Sequence, residues 1–255
     1  MNLTQLKTFN LLKQFLEIAN KHKLKYSIFY GSMLGAIRHG GFIPWDDDID
    51  ILVPKESWDL LIKIYPNLIK HSKNSNNPLL FGKFTNDSET DEDATFLDIF
   101  VAVKTSRKNL KKYNSLSTKI RYLKNFTKRK LFKRQWGMRI IKFLLLWTWL
   151  WPKFSFDQAY EMLNVPYGDI DFVITWPSNK EVKRASKVAI DWNNLISVKF
   201  EDVQVNIFKN YEEFFVSTYG PNWNIPKKYF MSEHLGLYDM DVFTKKKKET
   251  TKHEK

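Results

Sequence analysis

The chain has 255 residues, 43% of them hydrophobic and 16% aromatic, enough apolar surface for one large domain and too much for wholesale disorder. It has no cysteine, which excludes disulfides, thiolate metal sites and cysteine nucleophiles and fits a reducing compartment. The formal net charge of +13 is uneven: sixteen of the 41 basic residues and no acidic ones lie between Ile99 and Phe156, leaving 25 basic against 28 acidic residues elsewhere. A basic module is joined to a slightly acidic body.

No continuous apolar stretch opens the chain, so no secretory signal is expected. Leu3, Leu6, Phe9, Leu12, Phe15 and Leu16 recur at helical spacing and predict an amphipathic helix over the first twenty-odd residues. Ser27–Tyr30 is a short strand candidate running into Gly31-Ser32 and a helix over Ser32–Arg38. Asp48–Val53 alternates acidic and branched apolar residues, a period-two strand pattern. Pro54 then opens a helix whose stripe is Trp58, Leu61, Ile62 and Tyr65. Leu79–Phe84 and Thr95–Val103 read as strands around an acidic surface loop, Asn86–Asp93. One or two helices are expected between Lys104 and Pro152. Further strands are expected at Asp171–Thr175, Leu195–Phe200 and Val203–Phe208, then a helix over Tyr211–Tyr219 ended by Gly220-Pro221. The Lys-rich tail from Lys245 reads as disordered. Irregularly interleaved strands and helices indicate an α+β or α/β fold.

The chemistry concentrates between Gly31 and Ile51. Four of the nine glycines (Gly31, Gly35, Gly40 and Gly41) fall within eleven positions there, followed by Asp46, Asp47, Asp48 and Asp50. On a strand, Asp46, Asp48 and Asp50 would share one face. Three carboxylates so placed repel one another unless a hard cation lies among them, and Mg²⁺ takes such oxygen ligands. A strand that ends in Gly-Ser and opens a helix offers N–H groups and a hydroxyl to a phosphate. Arg38 is near enough in sequence to add a charged fork; His39 beside it is a candidate substrate contact, with a structural or solvated histidine as the alternative. Asp98 stands alone in the apolar run TFLDIF, where an ionised carboxylate needs a partner such as the same metal. Taken singly, an acidic cluster can be a solvated turn, Gly-Ser a turn, and Asp98 a structural acceptor.

In this order the motifs resemble the nucleotidyltransferase fold, with Gly-Ser, two acids around an apolar residue, and a third acid on a later strand. GSMLGAIRHGGFIPWDDDIDI (Gly31–Ile51) further resembles the signature of the LicD family, which includes bacterial phosphocholine transferases and has fukutin-type ribitol-phosphate transferases as relatives. TFLDIF (Thr95–Phe100) and FEDVQVNIFKNYEEFFVSTYGPNW (Phe200–Trp223), with Pro226, resemble the family's later blocks. Where the family often has Pro and an acid after its DIF, this chain has Val101 and Val103, and it has Asn206 where Pro is common.

The resemblance implies a mixed sheet flanked by helices, an α+β fold, and the chain's own charge and tryptophan pattern adds a basic, Trp-rich helical insertion in the middle, which has no clear resemblance. It implies Asp48, Asp50 and Asp98 as catalytic acids and metal ligands, with Asp46 a further ligand for Mg²⁺ or Mn²⁺. It implies donor phosphate on Gly31 and Ser32, neutralised by Arg38. The expected reaction moves a phospho-alcohol from a CDP-alcohol donor to a hydroxyl of a glycan or polyprenol-linked glycan, releasing CMP. The alternatives are nucleotidyl transfer to a small molecule or nucleic acid, and a non-catalytic basic protein that binds membrane or nucleic acid.

The expected layout is a catalytic core over 1–103, a basic helical segment over 104–155, a completing α/β part over 156–244 and the tail 245–255. Four of the nine tryptophans lie between Trp136 and Trp151, and the nearly uncharged run Phe143–Trp151 is nine residues long. That is about half of the ~20 residues a spanning helix needs. A basic flank and a tryptophan cluster suit a helix lying on anionic lipid at the inner face of the membrane, and make nucleic acid the less expected partner. A buried helix with a solvated basic face is the alternative. A cytoplasmic, membrane-peripheral location follows from the first.

Overall fold

The computed structural model describes residues 1–75, 77–88, 94–127, 136–150, 152–185 and 188–226. The tail 245–255 and Lys128, Arg129 and Lys130 lie outside these, as does part of the acidic loop.

Helix α1 (Leu3–His22) begins in a capping box, with the Asn2 side chain and Gln5 bonded reciprocally, and ends at Lys23, whose φ of 51° is left-handed. Its stripe is half realised: Phe9, Leu12, Phe15 and Leu16 are buried, whereas Leu3 and Leu6 are exposed. Strand β1 (Ser27–Ile28) leads to α2 (Tyr30–His39), then β2 (Asp50–Pro54) and α3 (Lys55–Ile64). Next come β3 (Ile69–Lys70), β4 (Gly82–Phe84) and the long β5 (Leu97–Thr105). The basic segment holds α4 (Arg107–Tyr113), α5 (Leu116–Thr127), α6 (Trp136–Leu144) and a 3-10 turn, Leu146–Leu150. After it come α7 (Phe156–Leu163), β6 (Ile170–Val173), α8 (Asn179–Ala185), β7 (Leu195–Phe200), β8 (Val203–Phe208) and α9 (Tyr211–Tyr219).

One mixed sheet runs β1-β2-β5-β4-β3, and the helices flank it. β5 is its spine: it pairs parallel with β2, and antiparallel with β4 through its first half and β6 through its second. Its residues Ile99, Val101 and Val103 are buried in an aromatic and aliphatic core. Because β6 follows the basic segment yet pairs with β5, that segment is an excursion from one sheet. β7 and β8 form a separate hairpin whose turn residue Glu201 has a φ of 55°. The fold is thus α+β, with a mixed sheet of nucleotidyltransferase type.

Several boundaries differ from the sequence expectation. α2 starts at Tyr30 rather than Ser32, through a left-handed φ of 40° at Tyr30 itself. β2 starts at Asp50 rather than Asp48; ahead of it the Asp46 and Asp47 carbonyls bond to α1, and the Ile49 carbonyl accepts from β5, at the Asp98 N–H. α7, α8 and β3 had no counterpart in the sequence reading.

Candidate active site

The site is built on a row across three strands. Asp50 of β2 stands opposite Asp98 of β5, and Asp98 stands opposite Lys83 of β4. Directly opposed residues project to the same face of a sheet, so two acids and a cation share that face. The Lys83 ammonium bonds the Asp98 carboxylate, and the lysine side chain has no exposed surface. The ammonium also lies 3.6 Å from the centre of the Phe96 ring. Burial pushes the Lys83 ammonium down in pKa, and Asp98 opposes that shift. The lone carboxylate of TFLDIF therefore has a protein partner.

Asp46 and Asp48 reach the site differently from expectation. Both lie in the extended segment ahead of β2, not on the strand. Helix α1 holds that segment: Gln5 Nε2 donates to the Asp46 carbonyl at 2.8 Å and Thr8 Oγ1 to the Asp47 carbonyl at 3.1 Å. Burial, reinforced by Asp48, Asp98 and Asp46 in that order, pushes the Asp50 carboxyl well above the usual carboxylate range, with Lys83 opposing. Negative charge is therefore concentrated around Asp50.

Gly31 and Ser32 belong to the same place. The Asp50 backbone N–H donates to Ser32 Oγ at 2.8 Å, fastening the first turn of α2 to the head of β2. A Cβ on Gly31 would come within 2.9 Å of Asp46 Oδ2, so glycine lets the acid loop approach that turn closely. A helix N-terminus beside carboxylates offers N–H groups to an anion and carboxylates to a cation in one small space.

Arg38 and His39 lie at the other end of α2, about 10 Å of helix rise from Gly31. There Arg38 Nη1 donates to the Trp223 carbonyl at 3.2 Å and Nε donates to His39 Nε2 at 3.1 Å. Burial lowers the pKa of both side chains, and the Arg38 charge adds to the lowering at His39. The chain's later block packs back on the first here: Glu201 Oε1 accepts from the Phe42 N–H at 3.0 Å, and the Glu201 N–H donates to the Gly40 carbonyl at 2.7 Å. A cleft lined by Tyr30, Phe172, Glu181, Phe214, Ser217 and Thr218 reaches the first residue of α2.

Oxygen donors of this kind are those a hard divalent cation takes: Asp98, Asp48 and Asp50 act on the buried Lys83 charge, and Asp46 acts on Asp50. Among the described residues no three acidic or histidine side chains close on one point. Mg²⁺ does not require that, since it keeps waters and takes one or two carboxylates together with substrate phosphate. Sequence reasoning missed Lys83. Its signal was a single cation within the apolar run Leu79–Phe84.

Residues 23–142 match the family model of the LicD/FKTN/FKRP nucleotidyltransferase domain. Over 61 residues the chain is 39% identical to a lipopolysaccharide cholinephosphotransferase LicD of Haemophilus influenzae, covering 24% of this chain and 23% of that protein. It is 39% identical over 74 residues to an uncharacterised protein of Rickettsia typhi, covering 27% and 24% of the two chains. It is 43% identical over 61 residues to an uncharacterised protein of Rickettsia prowazekii, covering 24% and 23%. The aligned stretches thus span less than a quarter of each relative's length. The acids in register on adjacent strands and the Gly-Ser turn bonded to them all lie within residues 23–142, the stretch similar to the LicD/FKTN/FKRP nucleotidyltransferase domain.

Proposed function

We propose that the chain is a metal-dependent phosphotransferase that moves a phospho-alcohol, phosphocholine or a phospho-polyol, from a CDP-linked donor to a hydroxyl of a cell-surface glycan or its lipid-linked precursor. The observation that carries this reading is the register of Asp50 with Asp98 beside the Ser32 turn, which sets carboxylates next to a helix N-terminus. The acceptor oxygen forms a bond to the phosphorus bearing the alcohol, the bond from that phosphorus to the CMP oxygen breaks, and CMP leaves.

Phosphoryl transfer is mostly positioning and charge stabilisation. In this reading Gly31 and Ser32 seat the donor phosphates at the start of α2. Asp48 and Asp50, with Asp46 and Asp98, hold Mg²⁺ or Mn²⁺, and the bound ion supplies positive charge to the phosphate oxygens. Lys83 keeps Asp98 ionised and aimed. Arg38 and His39, a helix length away, contact the remainder of an elongated donor.

The test is a donor screen with Mg²⁺ present, comparing CDP-choline, CDP-ribitol and CDP-glycerol with a glycan acceptor and measuring CMP. Acceptor-dependent CMP release supports the reading. Diphosphate released from a nucleoside triphosphate, without CMP from any CDP-alcohol, would replace it with nucleotidyl transfer.

A further inference from the structure

We propose that the outward face of α6 and the 3-10 turn after it docks onto the surface of an anionic lipid bilayer. Ile140, Phe143 and Leu144 recur at the i, i+3, i+4 spacing that normally turns a helix toward a core. In this fold they point away from it, with 49%, 71% and 62% of their surfaces exposed. The turn continues the pattern: Leu146, Trp147 and Leu150 are 57%, 60% and 88% exposed. A 3-10 helix repeats every three residues, which sets Trp147 and Leu150 on one side. The polar residue between them is turned inward. Thr148 is buried and its hydroxyl donates to the Leu145 carbonyl at 2.7 Å. Apolar side chains outside and a hydroxyl inside is the reverse of a water-facing surface. The buried-helix alternative does not describe these six side chains.

The charge around the face identifies its partner. Arg139 is exposed on α6, Lys153 is exposed just beyond the turn, and Lys142 is half-buried between them. From Ile99 to Phe156 there are sixteen cations and no acid. A second copy of the chain would bring two such segments together, which like-charge repulsion opposes. Nucleic acid would use the cations but would leave Leu144, Leu146 and Leu150 in water. An anionic bilayer takes both, the apolar side chains at the acyl boundary and the cations among the headgroups. Among the described residues no helix is long and apolar enough to cross a membrane. The face therefore lies in the interface plane, where tryptophan is favoured.

The experiment is co-sedimentation of the full chain with phosphatidylcholine vesicles containing about one third phosphatidylglycerol, against pure phosphatidylcholine, in a salt series around 0.15 M. The variants are Phe143→Ser/Trp147→Ser/Leu150→Ser together and Leu150→Ser alone; all three side chains are exposed, so melting temperatures should not fall. The wild type should bind the anionic vesicles, bind the neutral ones weakly, and lose part of its binding as salt rises. The triple variant should bind roughly tenfold or more weakly, its residual binding wholly salt-sensitive, with Leu150→Ser intermediate. Failure of the wild type to bind anionic vesicles overturns the proposal, as does unchanged binding of the folded variants. A wild-type dimer that the triple variant dissociates would give the face to a second copy instead. Tighter binding to a duplex oligonucleotide than to vesicles, unaffected by the serines, would give the segment to nucleic acid.

Discussion

The wholly buried Lys83 side chain bonds the Asp98 carboxylate across the β4–β5 pair. In so enclosed a place neither charge is stable alone, because desolvation costs several kcal/mol per ion; Asp98 is the largest opposing influence on Lys83, with Asp48 and Asp50 behind it. The Phe96 ring over the ammonium adds an attraction of about 1–2 kcal/mol where water is excluded.

Lys83→Met should therefore destabilise the protein by about 3–5 kcal/mol, because it strands Asp98 without its counter-charge. Lys83→Met with Asp98→Asn should cost less than the sum of the singles, since the double variant has neither orphan charge. Urea unfolding of the four proteins measures the coupling. Additive costs would mean the two groups do not act as a pair.

Asp50 predicts a separation of stability from activity. Three neighbouring carboxylates and burial disfavour its charge, so Asp50→Asn relieves repulsion in the metal-free protein and its melting temperature should hold or rise. Turnover should nevertheless collapse, as it should for Asp48→Asn, because each removes a proposed ligand charge at nearly constant volume. Mg²⁺ should raise the wild-type melting temperature, corresponding to about 2.7 kcal/mol at a hundred times the dissociation constant. EDTA should reverse the shift and Asp50→Asn should abolish it. An equal Mg²⁺ effect on both proteins would remove Asp50 from the ligand set.

Two glycines of α2 should respond differently to alanine. At Gly35 the added Cβ would sit 2.5 Å from the Gly41 carbonyl oxygen, and backbone does not move aside cheaply, so Gly35→Ala should cost about 1–3 kcal/mol. At Gly31 the obstacle is the end of the Asp46 side chain, which can rotate away. Gly31→Ala should leave stability within about 1 kcal/mol, helped by the better helix propensity of alanine. Its turnover should fall by up to about a hundredfold as the acid is displaced. Melting curves beside CMP release distinguish the two, and loss of stability at Gly31 with full activity would contradict the assignment.

The elements that carry local punctuation were legible in the sequence. The β7–β8 hairpin and α9 have the expected limits because Glu201-Asp202 and Gly220-Pro221 mark them within the chain. Asp98 was legible as an anomaly, a charge in an apolar strand. Its partner was not, because Lys83 becomes a neighbour only once β4 is known to pair with β5. Asp46 and Asp48 were placed on a strand by alternation, yet tertiary bonds from Gln5 and Thr8 hold that stretch off the sheet. The distance of Arg38 from Gly31 follows from the full length of α2, which proximity in sequence conceals. Helix α7 did carry a signal: Ser155 and Gln158 form a capping box.

His71 gives the pH dependence. It packs edge-on to Trp58 with ring centres 5.9 Å apart. Burial lowers its pKa, Asp157 opposes the shift and Lys73 adds to it. The unfolded chain therefore takes up a proton near the ordinary value of about 6.5, before the folded protein does. Above that pH the imidazole is neutral in both states and its contribution to stability is complete. As pH falls from about 6.5 toward the lower folded value, the unfolded state binds more protons and stability is lost. His71→Gln removes the titrating group, so the difference in melting temperature between pH 7.5 and pH 5.5 should be smaller in the variant, at about the stated pH values. Comparing the two proteins cancels the similarly lowered His39, which both retain. An unchanged difference would mean that His71 titrates alike in both states, and a larger one would mean that Asp157 dominates and stabilises the charged form.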